Sequence, residues 1–316
     1  MQYRRLGASG LRVSVVGLGS WLTVGNSVAA SDTQRLVAHA FERGVNLFDT
    51  ADVYQRGEAE RLLGAAVHGL GRHRLVLATK CFFPMSDDAN DRGLSRKHVH
   101  ESLHNSLRRL QTDYVDLFQC HRFDPDVPLR ETAMAMHDLI VAGKALYWGV
   151  SQWPAERIAE VVELCAREGL HRPISNQPPY NLFDRGIEAD VVPTCVRHGL
   201  GQLAYSPLAQ GVLTGKYPPG APPPAGSRGS DPRSNQFVGR FLTEDHLRRA
   251  QQLTALAGAA GFTATQVALA FLLRNANVGA VLVGARTPAQ LDGSLAAVDV
   301  PLSAELVGNL ERVFPA

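Results

Sequence analysis

The sequence predicts an α/β fold of the (β/α)8 TIM-barrel type, with a β-hairpin ahead of the barrel and two extra helices, in one domain spanning residues 1–316. From Val13 onward, apolar runs of strand length alternate with stretches of helical periodicity eight times, the pattern of a parallel sheet with crossover helices. The runs end abruptly in ionisable or amide-bearing residues, which in a barrel all fall on the C-terminal rim where active sites are built. With 316 residues and 45% hydrophobic side chains, the chain can bury a core for one barrel or for two smaller domains. No linker interrupts the alternation and no stretch repeats another in residue identity.

Taken in order, residues 3–16 place two strand-like pieces around Gly7-Ala8-Ser9-Gly10, a hairpin signal. Residues 13–18 read as the first barrel strand, and Ser31 with Gln34 as a capping box for a helix whose apolar face is Leu36, Val37, Ala40 and Phe41. Gly44 stops that helix. The further strands are residues 45–48, 75–80, 114–118, 145–150, 174–177, 201–205 and 280–283. Between them run a helix at 59–67, one capped by Ser95 and faced by Val99, Leu103, Leu107 and Leu110, and one marked by Ala133, Met136, Leu139 and Ile140. Pro154 stands where a first helical residue would, opening the next, and residues 191–196 lie in the sixth. Helices at 244–260 and 264–273 precede the last strand; 288–297 and 303–313 follow it. The Gly/Pro-rich stretch 215–239 breaks this rhythm and is too long for an idle turn. It reads either as a surface insertion or as a flap that closes over a ligand.

Composition narrows the function. The 32 basic and 30 acidic residues are evenly spread and leave a formal charge of +2, so no basic face for nucleic acid is expected. Cys81, Cys120, Cys165 and Cys195 form no C-x-x-C and read as reduced, buried cysteines of a cytoplasmic protein. The first residues lack the apolar run of a signal peptide, and no stretch reaches the ~20 apolar residues of a membrane span. No His, Asp and Cys spacing suggests a metal site, and no serine or cysteine stands beside an evident base.

The strand ends carry Asp49, Lys80, His121, Ser151, Gln177, Ser206 and Arg286. Each has a bland use: Asp49 or Thr50 as a helix cap, Lys80 as a solvated strand end, His121 as a loop histidine, Gln177 as a turn residue. Gathered on one rim, Asp49, Tyr54, Lys80 and His121 contain a set able to move a proton. A phenol titrates near 10, too high for acid–base work at neutral pH without help. A lysine ammonium beside it favours the phenolate, a carboxylate holds the ammonium in place, and an imidazole orients a carbonyl. Proton transfer to a carbonyl oxygen becomes a reduction when a cofactor brings a hydride. Trp21, Tyr54, Phe82, Phe83 and Trp153 follow strand ends and suit either core packing or the wall of an apolar substrate pocket.

Six segments then carry a resemblance: Y-R-R-L-G-A-S-G-L-R-V-S-V-V-G-L-G-S-W at 3–21, N-L-F-D-T-A-D-V-Y at 46–54, G-L-S-R-K-H at 93–98, Y-W-G-V-S-Q-W at 147–153, S-P-L-A-Q-G-V-L-T-G-K-Y at 206–217 and G-A-R-T-P-A-Q-L at 284–291. Over nearly its full length the chain resembles the aldo-keto reductases, especially the branch of the potassium channel β-subunits and their bacterial relatives. The resemblance implies NADPH/NADP+ as cofactor, a small carbonyl substrate, and a catalytic tetrad of Asp49, Tyr54, Lys80 and His121 with Tyr54 as proton donor. It implies that Ser151, Gln152 and Gln177 hold the nicotinamide carboxamide and that Tyr205 stacks on its ring. Ser206, Leu208, Gly211 and Lys216 would line the pyrophosphate, Arg228, Arg286 and Gln290 would reach the 2′-phosphate, and Gly284 would be a further cofactor-binding residue. Arginine suits a phosphate because it offers a rigid fork of donors and stays charged.

The match has departures. Gln152 stands where many relatives have asparagine, Gly293 and Ser294 replace a Glu-Asn pair that contacts adenine, and Thr287 with Gln290 also reads as a capping box before Pro288. The resemblance implies a carbonyl reductase, a keto-sugar reductase among the options, or alternatively an NADP(H)-binding regulatory module with a protein partner; His121 stands where channel subunits generally carry asparagine. Relatives of this branch are often tetramers, so a homo-oligomer is an expectation.

Overall fold

The computed structural model describes residues 1–232 and 234–316. Strands β1 (Tyr3–Arg5) and β2 (Arg12–Ser14) form the expected antiparallel hairpin, with Tyr3 opposite Ser14 and Arg5 opposite Arg12. The eight barrel strands are β3 (Val16–Gly19), β4 (Leu47–Asp49), β5 (Val76–Cys81), β6 (Val115–Cys120), β7 (Ala145–Val150), β8 (Ser175–Asn176), β9 (Gly201–Tyr205) and β10 (Val278–Val283). They close in the order β10-β3-β4-β5-β6-β7-β8-β9, every pair parallel.

Residues 13–18 are not one strand. The Ser14 hydroxyl donates to the Val16 carbonyl at 2.8 Å and accepts from the Asn46 and Leu47 amides, while the Ser14 amide donates to Asn46 Oδ1 at 2.7 Å. These bonds kink the chain between hairpin and barrel, so Arg12–Ser14 pairs with β1 and only Val16–Gly19 enters the sheet. The hairpin closes one mouth of the barrel: Leu6 and Val13 are fully buried in a cluster with Leu47, Val76, Leu117, Leu203 and Ala280 of the strands. Gly7 permits that approach at a φ of 59°, since a Cβ there would lie 2.3 Å from the Gly199 carbonyl oxygen.

Outside the barrel lie α1 (Ala30–Glu42), α2 (Glu58–Val67), α3 (Arg96–Leu110), α4 (Leu129–Val141), α5 (Ala155–Glu168), α6 (Val191–His198), α7 (Asn235–Val238), α8 (Glu244–Ala259), α9 (Ala264–Leu273), α10 (Pro288–Leu295) and α11 (Ala304–Val313). The two extra helices are α8 and α11; α7 is one turn inside the 215–239 stretch. Ser95 caps α3 as expected, accepting from the His98 amide. Ser31 does not cap α1: the helix starts two residues earlier than that cap implies, with Ala29 as N-cap and the Thr33 amide bonded to the Ala29 carbonyl, which leaves Ser31 and Gln34 exposed on the first turn. Pro154 is the N-cap of α5, one position before the first helical residue. The cysteines are buried and unpaired. Among the described residues no single helix is long and apolar enough to cross a membrane, and no three His, Cys, Asp or Glu side chains gather as metal ligands.

Candidate active site

A cavity of about 1350 Å³ opens at the barrel mouth opposite the hairpin, lined by Gly19, Asp49, His121, Ser151, Gln177 and Tyr205 at or beside the strand ends. At its deep end β4 delivers Asp49 and β5 delivers Lys80, which is fully buried. Lys80 Nζ donates to Asp49 Oδ1 at 2.6 Å and to the Thr50 carbonyl at 2.7 Å, and lies 3.5 Å from the Tyr54 hydroxyl. The other oxygen, Asp49 Oδ2, accepts from Gln177 Nε2 at 2.8 Å and Gln119 Nε2 at 3.3 Å. A buried ion pair persists when its remaining lone pairs are satisfied in this way.

Tyr54 follows β4 across a short turn. Gln55 and Arg56 hold φ of 49° and 50°, and Gly57 a φ of 86°, so three successive left-handed residues swing the chain from the rim into α2. Non-glycine residues resist that conformation by on the order of 1 kcal/mol each, and local bonding holds them there. The turn is tied down by Asp52, which accepts from its neighbour Val53 N at 2.6 Å and from Ser102 Oγ of α3 at 2.8 Å. Burial and the nearby Glu60 charge push Asp52 up to about 7.

The electrostatics suit a proton donor. Burial, then the Asp49 and Tyr205 charges, hold the Tyr54 phenol well above its usual range, so it stays protonated at neutral pH. The expectation that Lys80 lowers it in the resting site is thus overturned: the ammonium is drawn to Asp49 and Thr50, and desolvation outweighs the remaining cation, Arg122. Desolvation also depresses Lys80. His121, at the end of β6, has its ring 5.7 Å from Tyr54 and is pushed well below its usual pKa by burial, Lys80 and Arg122, which leaves a neutral imidazole.

The sequence pattern of the Aldo/keto reductase family matches residues 15–314. The chain belongs to the Aldo/keto reductase family. Two relatives, each named a probable voltage-gated potassium channel subunit beta, are 42% identical to it: that of Arabidopsis thaliana over 99% of this chain and 97% of its own length, and that of Oryza sativa subsp. japonica over 99% and 96%. Aldo/keto reductases are oxidoreductases, and the closed eight-stranded barrel with its hairpin is the architecture of that family.

In this aldo/keto reductase the residues expected to hold a dinucleotide line the rest of the cavity. Ser151 donates to the Gln177 carbonyl at 2.8 Å, and the Gln152 amide lies 2.8 Å from the Tyr205 hydroxyl. After β9 the chain turns through Ser206, Ala209, Gln210 and Gly211, all at positive φ, and a Cβ on Gly211 would lie 3.0 Å from Lys216 Nζ. Lys216, Arg228 and Arg286 gather at the open end, where burial, and then the two arginines, depress Lys216. Leu208, Gly284 and Gln290 stand in the same wall. Gln290 accepts from the Arg286 amide at 2.9 Å while its own amide is capped by Thr287, so the box is offset by one residue from the one expected. Gly293 and Ser294 face the cavity too, with nothing near where a Gly293 side chain would stand.

The 215–239 stretch folds over this end. Arg286 donates to the Gly226 carbonyl at 2.8 Å, Arg228 to Gln210 Oε1, and Phe237 meets Trp21 edge to face at 5.3 Å. Trp21 and Phe83 line the cavity as expected, whereas Phe82 and Trp153 do not. Phe82 packs against the apolar core and meets Phe83 at 5.3 Å, and Trp153 is buried against Phe123 at 5.1 Å; both stand past the ends of β5 and β7, where the chain has left the strand and alternation no longer sets which way a side chain points. Sequence reasoning missed Gln119, Arg122 and Gln210. Gln119 had a signal: it stands two before His121, on the inward alternation of β6.

Proposed function

We propose that the protein is an NADPH-dependent oxidoreductase that reduces an aldehyde or ketone to an alcohol, with Tyr54 as proton donor. The observation that carries this is the bonded set Asp49–Lys80–Tyr54 beside a neutral His121, at the deep end of one cavity whose other end gathers three cations. The residues fit the cofactor. Lys216, Arg228 and Arg286 repel one another and have no salt bridge to a described carboxylate, as suits a site for phosphates. The buried hydroxyls of Ser20 and Ser227 line the cavity without a partner among the described residues. Ser206, Leu208, Gly211 and Lys216 are assigned to the pyrophosphate, Arg228, Arg286 and Gln290 to the 2′-phosphate, and Ser151, Gln152, Gln177 and Tyr205 to the nicotinamide end.

NADPH, when bound, supplies the hydride. The protein's part is to place a carbonyl oxygen between Tyr54 and His121 and to deliver a proton to it. A phenol held above its usual pKa keeps its proton until negative charge builds on that oxygen; Lys80, paired with Asp49, then offers a cation to the phenolate left behind. Neutral His121 donates a hydrogen bond to the same oxygen without competing as an acid.

Tyr54→Phe tests this. Turnover of an aldehyde panel is expected to fall by roughly 10²–10⁴, while quenching of tryptophan fluorescence by NADPH stays near wild type. Wild-type protein that binds NADPH yet turns over no carbonyl would favour the second reading, a regulatory module, which the names of the plant relatives support.

A further inference from the structure

Neither the tetrad nor the phosphate end uses Arg122, yet it stands in the cavity wall beside the reacting groups. Side chains form a closed collar there. Trp21 stacks on Tyr54 at 6.5 Å, Tyr54 meets His121 at 5.7 Å, and His121 meets Phe83 at 4.9 Å. The Arg122 guanidinium lies 5.2 Å from the Phe83 ring centre. With its carbonyl oxygen turned inward, Gln152 accepts from Arg122 at 2.8 and 3.0 Å and from the Tyr205 hydroxyl at 2.8 Å, and Tyr205 meets Trp21 at 5.9 Å to close the circuit.

Arg122 brings a fixed positive charge to this largely aromatic collar. Lys80 is neutralised by Asp49 and His121 is uncharged, whereas Arg122 has no salt bridge to a described carboxylate. Its bonds run to the His121 carbonyl and the Gln152 amide, both neutral acceptors, and they leave Nε and one NH2 hydrogen with no described protein acceptor. Its charge bears on Tyr54, Tyr205, Lys80 and His121 together, which places it among the reacting groups. The phosphate-fitting cations gather instead around Gly211 and Gly226.

We propose that Arg122 selects carbonyl substrates that carry a carboxylate near the reacting C=O, the guanidinium binding the carboxylate while the aromatic collar holds the body of the molecule. The proposal rests on the reductase reading. A half-buried cation without a counter-ion gains most from a ligand that supplies one, and the planar fork of arginine matches a carboxylate with two parallel bonds. The collar aligns such a substrate edgewise between Trp21 and Phe83.

The test compares kcat/KM, with NADPH, for paired aldehydes: 4-carboxybenzaldehyde against 4-methylbenzaldehyde, and succinic semialdehyde against butanal. A charge-assisted contact predicts that wild type favours the acid of each pair by about 10- to 100-fold. Arg122→Gln is expected to bring that ratio to within a few-fold of one, and Arg122→Lys to leave it intermediate, because a point charge survives without the fork. The ratio is read rather than the rate, so a general loss of activity cancels. A wild-type ratio near one, or a ratio unchanged in Arg122→Gln, overturns the proposal. An equal loss on acid and neutral partners does so too and assigns Arg122 to the phenol instead. Turnover of neither kind by wild type overturns the reductase reading and this proposal with it; turnover without discrimination overturns this proposal alone.

Discussion

Asp52 shows how a single buried carboxyl couples the reacting turn to pH. It is wholly buried, bonded to Ser102 and to the Val53 amide, with Glu60 close by and Arg109 paired to Glu60 at 2.6 Å. Its folded pKa of about 7 lies above the 3.8 of a free aspartate, so between those values the folded chain holds a proton that the unfolded chain has released. Stability from this group is therefore complete below the unfolded value and is lost as pH rises through about 7, by on the order of 4 kcal/mol in all. Asp52→Asn keeps an acceptor for the Val53 amide, can donate to the Ser102 hydroxyl in place of accepting from it, and cannot ionise. Urea unfolding from about pH 5 to pH 8 should then show a wild-type midpoint that falls relative to the variant's as pH rises; parallel curves would mean that Asp52 is ionised throughout.

At the scale of elements, the seam between α2 and α3 leaves no room for an added atom. Gly64 of α2 rests on the C-terminal end of α3: a Cβ there would stand 2.7 Å from the Leu110 Cα, carbonyl carbon and oxygen. Backbone atoms cannot swing aside as a side chain can, so Gly64→Ala must push the helices apart despite its better helix propensity. A destabilisation of about 1–3 kcal/mol is expected, read as a lower thermal midpoint. A neutral or stabilising effect would show that the seam slides. The seam matters for the site, because Ser102 of α3 holds Asp52 and Glu60 of α2 bonds Thr79 of β5 at 2.5 Å, one residue before Lys80.

At the scale of the molecule, one barrel carries a covering stretch tied to its rim at two points. Arg286 joins the β10 end to the 215–239 cover through Gly226, and Arg228 joins the cover to Gln210. If the three cations hold the phosphates, NADPH at about 100 times its Kd adds about 2.7 kcal/mol to stability and raises the thermal midpoint by several degrees. In Arg286→Ala that gain should shrink with NADPH, reflecting roughly 10- to 100-fold weaker binding, and change little with NADH, which lacks the 2′-phosphate. Equal losses with both would mean that Arg286 acts by holding the cover down and not by binding phosphate.

The alternation of apolar runs and helical periods was sufficient for the barrel, its hairpin and its extra helices, because each strand and each amphipathic helix declares locally which residues it must bury. The strand-end residues Asp49, Lys80 and His121 were legible for the same reason: a core strand that finishes in an ionisable group has nowhere but the rim to place it. Only the tertiary structure decided what depends on neighbours distant in the chain. Ser14 breaks a strand that looked continuous by bonding to Asn46, Phe82 and Trp153 pack with the apolar core, and Arg122 joins the collar through Phe83 and Gln152. The protonation of Tyr54 belongs to that second class. A lysine nearby suggested a lowered pKa, but burial and the grip of Asp49 on Lys80 reversed the sign. Residue types state which charges are available, whereas desolvation and distance, set by folding, decide which of them prevails.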